Sequence, residues 1–135
     1  MSSTALQGSL QTVLVVDDSE LSREVSRKKL GFWGVTDIHM AQDGRDGLTV
    51  LSAMARAPDF LICDIFMPDM DGIEFIGVLA KQGFKGGLIL ITGGDHGMLE
   101  TAQLIATLKG LRLLGALTKP LHQDSLGKMM GFSAL

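Results

Sequence analysis

Cysteine is all but missing from this sequence: Cys63 stands alone among 135 residues. One thiol closes no intrachain disulfide and builds no cysteine metal site, so a reducing compartment, the cytoplasm, is expected. Long apolar runs are missing too, with none near the ~20 residues that cross a bilayer. The opening MSSTALQGSLQ has no basic segment leading into an apolar one, so no secretory leader is expected. Basic charge is scarce: 12 Lys and Arg against 15 Asp and Glu leave a net charge of −3. Binding nucleic-acid phosphates needs a clustered basic surface. The one basic run, residues 23–29, is broken by Glu24 and reads as a solvated helix face. Neither GxxxxGK[ST] nor GxGxxG occurs, which removes the usual phosphate-cradling loops. The stretch DMDG fails as a calcium loop, because the glycine register and terminal glutamate are absent. His39, His96 and His122 have no metal-ligand spacing.

What is present is 46% hydrophobic residues and 17 glycines, enough core for one domain built from many short elements. Residues 1–11 are small and polar and read as a flexible arm; residues 12–135 read as the domain. Short β-branched or apolar runs at 13–16, 35–41, 60–63, 88–91 and 113–117 predict strands, with Gly115 weakening the last. Between and after them, segments 19–30, 45–55, 72–82, 98–109 and 124–130 predict helices. Leu21, Val25 and Lys29 line the first, which Gly31 should stop. Leu48, Leu51 and Met54 point inward from the second, and Ile73, Ile76, Leu79 and Ala80 from the third. Asp124 or Ser125 should cap the last. Alternating strands and helices predict an α/β fold: a doubly wound, five-stranded parallel sheet with five helices.

In such a sheet, sites form beyond the carboxyl ends of the strands. Those ends carry Asp17 and Asp18, Asp64, Thr92, and Thr118-Lys119-Pro120. Three neighbouring carboxylates need a cation, and hard oxygen donors with open positions suit Mg²⁺. A metal, a carboxylate, a hydroxyl and a lysine together suit phosphoryl transfer, in which a carboxylate can itself be the nucleophile. Alone, Asp17-Asp18 would only favour a helix dipole, and Asp64 would only end a strand. Asp69 and Asp71 sit in a Pro/Gly turn before a helix and read as shaping residues. Cys63 reads as a small buried hydrophobe.

Asp17-Asp18, DIFMPDMDG, Thr92 and Lys119-Pro120, in this order over residues 12–131, resemble the receiver domain of two-component response regulators. The resemblance implies a flavodoxin-like, CheY-like fold and a signalling phosphoacceptor, with no enzymatic role beyond its own phosphorylation and dephosphorylation. It makes Asp64 the phosphoacceptor and Asp17, Asp18, Asp64 and the backbone carbonyl of Phe66 the Mg²⁺ ligands. Thr92 and Lys119 would bind the phosphoryl group, and the Lys119–Pro120 bond would be cis. Implied partners are a histidine kinase or histidine phosphotransfer protein, docking on the first helix around Glu20, Arg23, Glu24 and Arg27. Others are an attached or separate output domain and a second copy meeting through helix four, strand five and helix five. No nucleic acid or membrane is expected.

Two departures stand out. Ala116 takes the position, three before the lysine, where the family usually has an aromatic residue. The interval from Thr92 to Lys119 is longer than usual by about one helical turn, and with GLRLLGALTKPL it is similar to receivers joined to EAL-type cyclic-di-GMP phosphodiesterase domains. Regulation of such a domain is the alternative output, and the chain closes soon after the last helix, so an output domain is expected either to have been cut away or never to have existed. Three rival readings remain. A small-molecule phosphatase would want a second aspartate where Phe66 stands. A flavodoxin-like cofactor binder would meet repulsion at Asp17-Asp18. A receiver that only binds partners would have no use for the intact set of five.

Overall fold

The apolar runs become strands because the sheet they share is covered on both sides. The computed structural model describes residues 7–68, 70–94 and 96–132. Its elements are β1 (Thr12–Val16), α1 (Glu20–Phe32), β2 (Asp37–Ala41), α2 (Gly44–Ala53), β3 (Phe60–Asp64), α3 (Gly72–Lys81), β4 (Gly87–Thr92), α4 (His96–Leu108), β5 (Arg112–Thr118) and α5 (Gln123–Met129). The strands pair in parallel in the order β2-β1-β3-β4-β5. This is the expected doubly wound α/β fold.

β1, β3 and β4 are buried along their whole length, while the edge strands β2 and β5 are only partly covered. Leu14, Val16, Leu61, Cys63, Leu88 and Leu90 face the layer of α2, α3 and α4. Val13, Val15, Ile62, Ile89 and Ile91 face Leu30, Trp33 and Leu126 in the α1–α5 layer. Two-sided burial is why these strands read as continuous apolar runs. Each such side chain contributes about 1.5–3 kcal/mol on burial, so layer packing outweighs the propensity of any one helix.

Several boundaries differ from the expected ones. Gly31 does not stop α1; the helix continues to Phe32, Trp33 caps it, and Gly34 makes the turn with φ of 89°. A helical glycine costs about 1 kcal/mol. The buried Trp33, whose Nε1 donates to the Gln123 carbonyl at 2.7 Å, more than offsets that. Leu21 is not on the inward face: it is 76% exposed, and Ser26 and Leu30 hold the core side instead. Met54 follows α2 as its cap. Phe75 joins the predicted inward residues of α3. α5 starts one residue early, so His122, and neither Asp124 nor Ser125, takes the cap position, and it makes no side-chain cap bond.

Residues 7–11, placed in the flexible arm by their composition, are tied to the domain: Gly8 N donates to the Trp33 carbonyl at 2.7 Å and Gln11 N to the Gly8 carbonyl at 3.0 Å. The rest of that arm, residues 1–6, lies outside the described residues, as does Asp69. Asp71 caps α3, accepting from Glu74 N at 2.8 Å, as its turn position suggested. Gly115 keeps its place in β5 at a bulge: Leu88 pairs with Leu113 and Ile89 with Gly115, leaving Leu114 over. Its φ of 154° favours glycine.

The α1–α5 contact depends on Gly127, where an added Cβ would lie 2.1 Å from the Trp33 ring. Gly127→Ala should therefore destabilise the chain by about 1–3 kcal/mol, measured by urea unfolding with the fluorescence of Trp33. An unchanged midpoint would mean that the layer yields more easily than this packing implies.

Candidate functional site

β1 and β3 are neighbours, and Val16 pairs with Cys63. The residues that follow, Asp17 and Asp64, therefore reach the same edge side by side. Asp18 joins them, and one carboxylate oxygen from each of the three lies within 4.8 Å of the others. Asp17 is fully buried and Asp64 is 3% exposed, whereas Asp18 is open to solvent. Lys119 crosses from the end of β5 to meet them. Its Nζ lies 2.8 Å from Asp64 Oδ2, and 3.1 and 3.3 Å from the two oxygens of Asp17.

Each buried carboxylate has further donors. Asp64 Oδ1 accepts from Phe66 N at 3.0 Å. Asp17 Oδ1 accepts from Ser19 N at 3.0 Å, and Oδ2 accepts from the Ser22 hydroxyl at 2.5 Å. Arg23 Nη1 donates to the Asp17 carbonyl at 2.7 Å. Burial pushes the Asp64 carboxyl above its ordinary 3.8; the bonds from Lys119 and Phe66 pull it back in part, and Asp17 adds to the rise. Burial also works against the Lys119 charge, but Asp64 and Asp17 outweigh it and hold the ammonium above its ordinary 10.5.

Of the residues expected at this edge, Asp17, Asp64 and Lys119 thus bond directly, and Asp18 lies beside the two buried carboxylates. Thr92 is buried at the end of β4 between β3 and β5, and Lys119 N donates to its carbonyl at 2.8 Å. Its hydroxyl accepts from Gly94 N at 3.2 Å and makes no side-chain bond to Asp64 or Lys119. Phe66 contributes its amide to Asp64, and its ring is partly exposed. The Lys119–Pro120 peptide is cis. His39 bonds Asp37 at the far end of β2, and no histidine belongs to the cluster. Burial holds the Cys63 thiol well up, in keeping with a small hydrophobe. Sequence reasoning missed Ser19 and Ser22 as donors to Asp17. Their signal was the first turn of a helix opening directly after Asp17-Asp18, where side chains and amides point back at the strand end.

Three carboxylates against one ammonium leave an excess of negative charge, two of them out of water. Such a donor set fits a hard, oxygen-seeking cation.

A doubly wound parallel sheet with this acidic edge is the arrangement typical of a signalling phosphoacceptor. The chain belongs to the response regulator receiver domain family, whose model matches residues 13–130. The response regulator MprA of Mycolicibacterium vanbaalenii is 35% identical over 83 residues, which are 62% of this chain and 35% of that protein. The chain thus spans about a third of the length of the curated relatives it matches. A response regulator from Colwellia psychrerythraea superposes with a TM-score of 0.73 at 33% identity, covering 91% of this chain and 95% of that one. The receiver domain of the histidine kinase CKI1 from Arabidopsis thaliana, complexed with Mg²⁺ and BeF₃⁻, gives 0.71 at 25% identity, covering 96% and 95%. No helix among the described residues is long and apolar enough to cross a membrane.

A carboxyl raised in the folded state contributes stability that is present below its unfolded value and lost as pH rises through its folded value. Relative to Asp64→Asn, the wild-type chain should therefore lose stability as pH rises above the ordinary carboxyl value of 3.8, measured by urea unfolding in chelator. A difference moving in favour of wild type over that range would contradict the raised Asp64.

Proposed function

We propose that Asp64 accepts a phosphoryl group from a histidine kinase or histidine phosphotransfer protein, and that the aspartyl phosphate switches the surface near α4 and β5. Residues 12–135 act as the receiver unit. The observation that carries this reading is the seating of Asp64: it is buried at a strand end, with one oxygen on Lys119 and the other on the Phe66 amide. A nucleophile held this way needs little reorganisation.

An Asp64 oxygen bonds phosphorus while the phosphorus–nitrogen bond of the donor's phosphohistidine breaks and the imidazole leaves with the electron pair. Lys119 moves from the carboxylate to the phosphoryl oxygens, which offer it more charge. Asp17, Asp18, Asp64 and the Phe66 carbonyl would hold Mg²⁺, which when bound supplies charge neutralisation to the phosphoryl oxygens. The same groups support self-phosphorylation by small phosphodonors and later hydrolysis. A metabolic phosphatase is disfavoured by the apolar Phe66 two residues after Asp64.

The donor protein docks on α1. Arg23 is drawn into the site, so the free part of that face is Glu20, Leu21, Glu24 and Arg27. Beside it runs a groove of about 320 Å³ lined by Ser22, Val25, Pro120 and Leu121 among others. On the opposite layer, the exposed Leu104 and Leu108 of α4 suit an output domain, such as an attached cyclic-di-GMP phosphodiesterase, or a second copy.

Incubation with a small-molecule phosphodonor and Mg²⁺ should give one phosphoryl adduct by intact mass, lost in Asp64→Asn. No adduct under any condition would leave a receiver that only binds partners.

The Thr92 hydroxyl accepts from Gly94 N, which ties it to the loop while its own O–H can donate to a phosphoryl oxygen, and Ala116 offers just a methyl group to follow it. Residues 92–97 and the start of α4 should therefore move more than β5 when a phosphate mimic binds. Free and mimic-bound crystal structures would test this, and a large β5 shift beside a static loop would overturn it.

A further inference from the structure

We propose that Ser22 is a positioning residue for the metal centre: its hydroxyl fixes the Asp17 carboxylate in the orientation that receives the cation. This rests on the reading of Asp17, Asp18 and Asp64 as a Mg²⁺ site.

Asp17 is fully buried, and three donors hold its carboxylate. The Ser19 amide is on Oδ1 at 3.0 Å, the Ser22 hydroxyl is on Oδ2 at 2.5 Å, and Lys119 bridges both oxygens at 3.3 and 3.1 Å. A carboxylate oxygen has two in-plane lone pairs, so each oxygen is fully engaged in this state. Binding a cation requires one donor to leave. The Ser19 amide is fixed in the backbone, at the cap that starts α1. The Ser22 hydroxyl sits on the first turn of the same helix and has no other partner among the described residues. Lys119 alone has a long flexible stem and a second carboxylate, Asp64, to keep it. It is also the donor that charge repulsion from an arriving cation would expel.

After that exchange, Ser19 and Ser22 remain, one on each oxygen. Two donors on different oxygens set the plane of a carboxylate, whose terminal torsion is otherwise broad. Without Ser22, only the Ser19 amide holds it, and the group is free to turn. Arg23, bonded to the Asp17 carbonyl, fixes the backbone but not the carboxylate plane. The orienting role therefore falls to Ser22, a residue that supplies no ligand of its own.

The test measures Mg²⁺ affinity of the full chain by titration calorimetry in Ser22→Ala, Ser22→Val and Ser22→Thr. Valine and threonine are nearly isosteric and differ by the hydroxyl, so the pair separates hydrogen bonding from shape even if alanine disturbs the fold. Loss of the hydroxyl in Ala and Val should weaken Mg²⁺ binding about tenfold, in the range of outer-shell partners. Thr should stay within about threefold, allowing for its branched Cβ in a helix. Phosphoryl adduct formation should recover in Ala and Val when Mg²⁺ is raised to saturation. Wild-type affinity in Ala and Val, or equal weakening in Val and Thr, would overturn the role of Ser22 while leaving the metal centre standing. No Mg²⁺ binding by the wild-type chain would overturn the metal centre, and this inference with it.

Discussion

Asp17 and Asp64 lie side by side at the ends of neighbouring strands, both out of water, and share the ammonium of Lys119. Two such carboxylates cannot both stay charged without a cation between them. Much of the rest of the fold can be understood as the means of supplying one. The order β2-β1-β3-β4-β5 sets β1 beside β3 and puts the lysine at the end of β5, two strands out from β3. Its stem must then pass over the end of β4, close to Gly93, where an added Cβ would come within 3.7 Å of Lys119 Cδ. The lysine backbone is anchored there by its amide on the Thr92 carbonyl. A buried pair of this kind is weak evidence of stability, since desolvation consumes most of the attraction. It suits better the role proposed for it, a charged site that takes a metal ion and a phosphoryl group.

The same constraint explains the turn after β3. Asp64 is useful only if the chain leaves the strand without dragging it. Met67 and Met70 are buried in the core of the α2–α3–α4 layer. Gly72 folds back until an added Cβ would sit 2.6 Å from Ile65 Cα, and Asp71 starts α3 immediately before it. The acidic run is thus divided by burial and by backbone: Asp64 faces the site, and Asp71 holds the helix that braces it.

The central strands and the acidic edge were legible because two-sided burial writes itself as apolar runs, and because strand ends in a parallel sheet share one edge. What was not legible is equally physical. The line Leu21, Val25, Lys29 looked like the inward stripe of α1, yet the inward line is one position over, at Ser26 and Leu30. Serine carries no hydrophobic signal, so a packed serine is invisible to periodicity. Gly31 looked like a stop, but the packing of Trp33 against α5 lies ninety residues away in sequence from Gln123 and cannot be seen locally. The donors on Asp17 were hidden for a similar reason. Asp17, Asp18, Asp64 and Lys119 announce themselves by charge, whereas Ser19 and Ser22 act through single hydrogen bonds that only the turn of α1 brings to bear.

The two elements next to Thr92 differ in how firmly they are held. β5 is pinned three ways: by pairing with β4, by the bulge that seats Gly115 against Met129 of α5, and by the Lys119 amide on Thr92. A shift of β5 would disturb all three, and the α1–α5 layer with them. α4 follows a stretch rich in glycine, and Leu104 and Leu108 on its outward face are exposed. With only a methyl group at Ala116, no large side chain ties the motion of Thr92 to the strand. A phosphoryl group on Asp64, as proposed, would therefore meet least resistance toward the loop and α4, because an interaction can move only what other interactions leave free.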